Sequence, residues 1–327
     1  MSEIDGIRNG LTCKAELLDK RNNAGEIPYI STGIKSLDTV LDGGLYTGLY
    51  TLGGMSSTGK STLMLQIADN IASTGRDILF FSLEMSATEL IAKIISKTTF
   101  QICVTEKIDF NSNAKTMHDV MLMDRYNACN QKQREILDKS FAFFDTYGQH
   151  LFIHDKRNIS VSDIRRKIDD FVNLKSIKPV VFIDYLQKLK NSYNGLSDKQ
   201  AVDRVIASSA DISREFDIPI VVVSSFNRSS YNTRATLASF KETGGVEYES
   251  DVVLALQFQN ADCVDIENEK LKSPREMEIA VLKNRNAMTG NVVPLGYYAE
   301  YNIFAESFGS NGYGVSKCNW ASNILGG

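Results

Sequence analysis

The run Gly54-Met55-Ser56-Ser57-Thr58-Gly59-Lys60-Ser61-Thr62 has the spacing G-x-x-x-x-G-K-[ST]. These residue types suit the handling of phosphate. Gly54 and Gly59 let the backbone curl, so that the N–H groups of Ser57, Thr58 and their neighbours can point inward. A helix that starts at this point adds partial positive charge. Lys60 can then reach the β- and γ-phosphates of a nucleotide, and the Ser61 hydroxyl can ligate Mg²⁺. The plainer reading is a Gly/Ser turn ahead of an ordinary helix. The flanks favour the first. Leu49-Tyr50-Thr51-Leu52 reads as a short buried strand, and Leu63, Leu65, Ile67, Ile71 and Ala72 form the apolar side of a helix. A nucleotide site is therefore expected at Gly54, Ser57, Thr58, Gly59, Lys60, Ser61 and Thr62.

Two acids follow apolar runs of strand length. Glu84 follows Ile78-Leu79-Phe80-Phe81-Ser82-Leu83, and Asp184 follows Val180-Val181-Phe182-Ile183. Ligands of open α/β sheets bind at the carboxyl ends of strands. Asp184 has the pattern of an acid that holds Mg²⁺, and Glu84 that of a base acting on water. A polar residue that merely ends a strand is the alternative for each. Two further stretches carry charge next to glycine: Lys241-Glu242-Thr243-Gly244-Gly245, and Lys283-Asn284-Arg285-Asn286 leading to Gly290. Spacing alone favours solvated turns for both. His118, His150 and His154 lack metal-like spacing.

The elements that must position these groups alternate. Short apolar strands are expected at 77–83, 151–154, 179–183 and 218–223. Helices are expected beside Ser86-Ala87-Thr88-Glu89, which has capping-box spacing, and over 162–171 and 199–216. This alternation predicts a parallel sheet covered on both faces. Residues 101–150 read as a helical excursion. The strands at 252–256, 277–282 and 292–298 lie closer together and suggest hairpins, a C-terminal β extension. Residues 1–28 read as an arm or linker, 29–306 as one domain, and the Gly- and Asn-rich 307–327 as a flexible tail.

The 327 residues are 43% hydrophobic and 23% charged, ordinary values for a globular chain. The formal net charge of −4 means that no global basic field advertises nucleic acid. Any such contact must come from a local patch, such as the basic helix with Arg165, Arg166 and Lys167, or from loops gathered by assembly. The five cysteines are scattered without a C-x-x-C pair, as in reduced cytoplasmic proteins. Neither a signal peptide nor a membrane-spanning run is visible.

Five stretches occur in order: the phosphate loop, Phe81-Ser82-Leu83-Glu84-Met85, Phe182-Ile183-Asp184-Tyr185-Leu186-Gln187, Val223-Ser224-Ser225-Phe226-Asn227-Arg228 and Lys283-Asn284-Arg285-Asn286. Together they resemble the motifs of the DnaB-type replicative DNA helicases, in their RecA-like motor domain. The opening Ser31-Thr32-Gly33-Ile34 with Leu37-Asp38 is shared more widely, with RecA and RadA relatives. The resemblance covers roughly residues 28–306. It implies an α/β fold with a RecA-like P-loop NTPase core, and a hexameric ring that hydrolyses ATP with Mg²⁺ between subunits while moving on single-stranded DNA. It casts Glu84 as catalytic base and Asp184 as the Mg²⁺ acid. Lys283 and Arg285 would act on a neighbour's γ-phosphate, and Lys241, Glu242 and Gly244 would grip the DNA backbone. Six copies of such a loop reconcile an acidic chain with DNA binding.

The chain departs from the family in three places. The N-terminal collar domain has no counterpart, so its primase-binding surface is expected to be lacking. Ser225 replaces the usual Gln, which links the γ-phosphate to the DNA loop, and Ala287 replaces a Gly. A RecA- or RadA-like ATPase that remodels DNA without unwinding it, and a nucleotide-dependent loader or switch, are the rival readings.

Overall fold

The fold is known from a computed structural model that describes residues 10–22, 29–189, 198–241, 243–259, 261–263, 265–307 and 313–314. Glu242, most of the 307–327 tail and part of the 1–28 arm lie outside the described residues. The elements run α1 (Gly10–Asn22), α2 (Lys35–Val40), β1 (Gly48–Gly54), α3 (Lys60–Ala72), β2 (Ile78–Ser82) and α4 (Ala87–Thr105). The helical excursion follows as α5 (Phe110–Asn113), α6 (Met117–Met121), α7 (Met123–Asn127) and α8 (Gln131–Asp145). The chain returns to the sheet through β3 (Leu151–His154), α9 (Val161–Lys175), β4 (Val180–Asp184), α10 (Asp198–Phe216) and β5 (Pro219–Ser225). It ends with α11 (Thr243–Glu249), β6 (Val252–Phe258), α12 (Ile266–Glu269), β7 (Arg275–Asn284), β8 (Val292–Tyr298), β9 (Ile303–Ser307) and β10 (Tyr313–Gly314).

All these strands join one sheet in the order β10-β9-β8-β7-β6-β1-β5-β4-β2-β3. From β6 to β3 every pairing is parallel. From β6 to β10 every pairing is antiparallel, which is the expected β extension. Every residue of β1, β2 and β4 is buried, as in a sheet covered on both sides. α3 packs against β1 to β5, and α10 against β1 and β5. Because the block is parallel, the carboxyl ends of β1, β2, β4 and β5 share one edge. At that edge lie the phosphate run and Glu84, just past β1 and β2, and Asp184 and Ser225, the last residues of β4 and β5.

Two elements differ from expectation. The apolar run Leu90–Ile95 after the capping box predicts a short helix, but α4 extends to Thr105, because its buried polar residues are satisfied. Thr98 and Thr99 hydroxyls donate to Ile94 O at 2.9 Å and Ser96 O at 2.7 Å, and Ser96 Oγ donates to Lys115 O at 2.7 Å. The run at Gly244-Gly245, read as a loop, lies in the first turn of α11. Gly245 packs so close to α10 that a Cβ would lie 2.7 Å from the Asp203 carboxylate. Glycine here serves close approach, not a turn.

α3 and α4 are locked by a buried ion pair. Lys97 Nζ meets Asp69 Oδ2, with side chains 5% and 3% exposed, and Tyr147 Oη donates to Asp69 Oδ1 at 2.7 Å. A buried pair broken on one side leaves an uncompensated charge. Asp69→Ala should cost about 3–5 kcal/mol in urea unfolding, and Asp69→Leu with Lys97→Met should recover most of it.

Candidate active site

β1 ends at Gly54, where a Cβ would lie 2.7 Å from Leu256 O, so the chain can pass only as glycine. Gly59 holds φ +95° just before α3, and a Cβ there would meet Phe304 at 2.8 Å and Tyr297 at 2.9 Å. Those two rings stack at 4.1 Å, and the Arg275 guanidinium lies over Tyr297 at 5.6 Å from its centroid. The loop is thus folded between β6 and an aromatic wall. Thr58 is buried and donates to Met55 O at 2.8 Å, bracing the turn from within.

The loop faces a cavity of about 450 Å³. Ser57, Gly59, Lys60, Ser61, Thr62, Glu84, Asp184 and Ser225 line it, along with Lys93, Tyr185 and Tyr297. Gly54 and Thr58 stand behind this wall as supports. Ser82 pairs with Asp184 across β2 and β4, and Leu83 N donates to Asp184 O at 2.7 Å. That register brings Glu84 and Asp184 to adjacent strand ends.

Electrostatically the site is incomplete. Burial pushes the Asp184 carboxyl up to about 6, and neighbouring Glu84 adds to the rise. Ser61, Lys60 and Lys93 pull the other way, yet neither Asp184 oxygen has a partner in hydrogen-bond geometry. Burial also pulls Lys60 down to about 8, against the pull of Asp184 and Glu84. Its Nζ donates to Met55 O at 2.6 Å, a contact within its own loop. Asp184 and Ser61 offer oxygen donors of the kind that suits Mg²⁺, and a triphosphate would satisfy Lys60.

Lys93 on α4 escaped the sequence reading. It lines the cavity, its Nζ donates to Thr62 Oγ1 at 3.1 Å, and burial lowers its pKa. The signal was a lysine on the apolar side of α4, nine residues after Glu84.

Lys283 and Arg285 do not join this cavity. Val252 pairs with both Tyr50 of β1 and Asn284 of β7, and Arg285 Nη1 bonds Asp251 Oδ1 at 2.7 Å. Asp251 in turn accepts from Leu49 N at 2.8 Å. The turn therefore sits at the Gly48 end of β1, about 20 Å from the Gly54 end at the usual strand rise. Lys241 is exposed, and its N–H donates to Ser225 O at 3.3 Å, so it stands at the cavity edge. Gly244 follows in α11 with open space around it. Arg165 and Arg166 of α9 are engaged by Glu215 and Asp163.

The profile of the DnaB-like helicase C terminal domain matches residues 29–306. The chain belongs to this family. The DnaB-like domain is 28% identical to the replicative DNA helicase DnaB of Geobacillus stearothermophilus over 86% of its length, and spans 58% of that protein. It is 27% identical to the Helicobacter pylori replicative DNA helicase DnaB, covering 89% of this chain and 63% of the relative. It superposes on one solved ATPase domain with a TM-score of 0.76 at 19% identity, covering 92% of this chain and all of the other. A DnaB-like replicative helicase, solved in a study of its interactions with primase, gives a TM-score of 0.74 at 20% identity, covering 91% of this chain and 68% of that one. The fold is thus the RecA-like α/β core. Among the described residues of this DnaB-like domain, no helix is long and apolar enough to cross a membrane, and no group of three or more His, Cys, Asp or Glu side chains is placed to hold a metal.

The raised Asp184 pKa fixes the sign of a pH effect. The unfolded chain ionises Asp184 more readily, so this residue costs stability as pH rises from about 4 to 6. Asp184→Asn should leave stability unchanged near pH 3 and raise it at pH 7.5, on the order of 2–3 kcal/mol. Urea unfolding of the nucleotide-free protein at the two pH values measures this.

Proposed function

We propose that this domain is an ATP-driven DNA helicase motor that assembles as a ring, hexameric on the family pattern. It hydrolyses ATP between subunits and translocates on single-stranded DNA. The observation that carries this reading is the separation of two halves of one site. The phosphate loop, Glu84 and Asp184 share a cavity at one end of β1, and the Lys283–Arg285 turn lies at the other. A subunit cannot bring its own Arg285 to its own γ-phosphate, but a neighbour can.

In this reading Gly54, Ser57, Thr58, Gly59, Lys60, Ser61 and Thr62 hold the triphosphate. Ser61 and Asp184 hold Mg²⁺, which would offset charge on the β- and γ-phosphates. Glu84 is the base that orients and polarises the attacking water. Lys93 sits on the same wall as Thr62 and supplies a second cation toward the phosphates. Arg285 and Lys283 stabilise charge that develops on the neighbour's γ-phosphate. Lys241 and Gly244, with Glu242 between them in sequence, contact the DNA backbone.

The names of the relatives support unwinding over pairing or loading. ATPase rates with and without single-stranded DNA, together with strand displacement on a forked duplex, test the reading. Stimulation by DNA and displacement of the strand are expected. Stimulation without displacement would favour a remodelling ATPase, and no stimulation a switch. Glu84→Gln should bind ATP and lose turnover by about 10²–10⁴-fold. Near wild-type turnover would make Glu84 a mere strand-end residue.

A further inference from the structure

Two lysines one turn apart on α4 are placed differently. Lys97 is buried and paired with Asp69. Lys93 is half-buried, and among the described residues its Nζ has a single hydrogen-bond partner, the neutral Thr62 hydroxyl at 3.1 Å. Spacing alone would give it an anion, because Glu89 precedes it by four residues on the same helix face. That carboxylate is drawn back to the start of α4. Its Oε2 accepts from Ser86 N and from Ser86 Oγ, both at 2.8 Å, in the capping box. The charge of Lys93 is therefore left to the cavity that it lines. A cation taken partly out of water without a paired anion is costly, and burial accordingly lowers the Lys93 pKa.

The place of Lys93 decides which part of a nucleotide matches it. Glu84, the proposed base, marks the side of the cavity where the γ-phosphate and the attacking water belong. Lys60 stands within electrostatic reach of Asp184 and Glu84, whereas Lys93 stands within reach of Asp184 and Glu89. Thr62, which holds Lys93, lies two residues beyond Lys60 in the first turn of α3. In a phosphate loop the main chain cradles the inner phosphates, and the loop lysine reaches the outer ones. We propose that Lys93 binds the α- and β-phosphates, the part that ADP and ATP share. It holds substrate and product alike, adding affinity without discriminating between them. This inference rests on the nucleotide site of the reading above and needs neither the ring nor DNA.

Lys93→Met keeps an unbranched side chain and removes the charge. Calorimetric titration, in the presence of Mg²⁺, with ADP and with a non-hydrolysable ATP analogue tests the assignment. Both should bind about 10–100-fold more weakly, the worth of one hydrogen bond to a charged group. Lys93→Arg should restore the binding of both. Urea should unfold nucleotide-free Lys93→Met no more easily than the wild type, because the lost charge leaves no ion-pair partner behind. Weakening confined to the ATP analogue would make Lys93 a γ-phosphate residue and overturn the inference. Unchanged affinity for both nucleotides overturns it too, as does easier unfolding, which would make Lys93 a structural tie to Thr62. Those three outcomes leave the motor reading intact. A wild-type chain that binds neither nucleotide overturns both.

Discussion

A buried carboxylate and a half-buried ammonium face one cavity without satisfying each other. Asp184 has no hydrogen-bond partner for either oxygen, and Lys60 turns back onto Met55 O. Both side chains are held in the form that burial disfavours, which is why their pKa values move toward neutrality. A structure keeps such groups only if the surrounding fold forces them there. Here the force is the sheet: Asp184 ends a fully buried strand, and Lys60 opens a helix whose body is buried. A ligand with both anionic oxygens and a hard cation would satisfy the two at once. The stability that burial costs these two groups returns as affinity when such a ligand binds.

The same sheet divides the proposed chemistry between subunits. Parallel strands place all their carboxyl ends on one edge, so the phosphate loop, the proposed base Glu84 and the proposed metal acid Asp184 converge there. The switch to antiparallel pairing at β6 and β7 sends the Lys283–Arg285 turn to the opposite edge. In the proposed ring these two edges meet, and on that reading no subunit completes a site alone. An acidic chain also becomes compatible with DNA binding, since the contacts of several copies add along one strand.

Much of this was legible in the sequence. The phosphate run could be read because each residue has its own requirement: glycine for close approach at Gly54, positive φ at Gly59, a cation at Lys60. Glu84 and Asp184 were legible as acids that end apolar runs. Less was legible where satisfaction depends on distant partners. Lys93 and Lys97 lie one turn apart on a helix face that reads as apolar, and only Thr62 and Asp69 explain them. α11 was hidden by Gly244 and Gly245, because propensity argues against a helix and contact with Asp203 is not written locally. The pairing of Arg285 with Tyr248 O likewise crosses many residues. Glu242 lies outside the described residues, so its assignment rests on sequence.

The division of the site between subunits is tested most directly by mixing two inactive chains. Lys60→Ala subunits cannot cleave ATP but still present Arg285; Arg285→Ala subunits keep an intact phosphate loop. Lys60→Ala alone should be inactive, and Arg285→Ala alone down by about 10³–10⁵-fold, the range for a charge-stabilising arginine at the γ-phosphate. Mixed rings should regain activity in proportion to the interfaces where an intact loop faces an intact arginine. Mixed rings verified by mass that regain nothing would contradict the shared site.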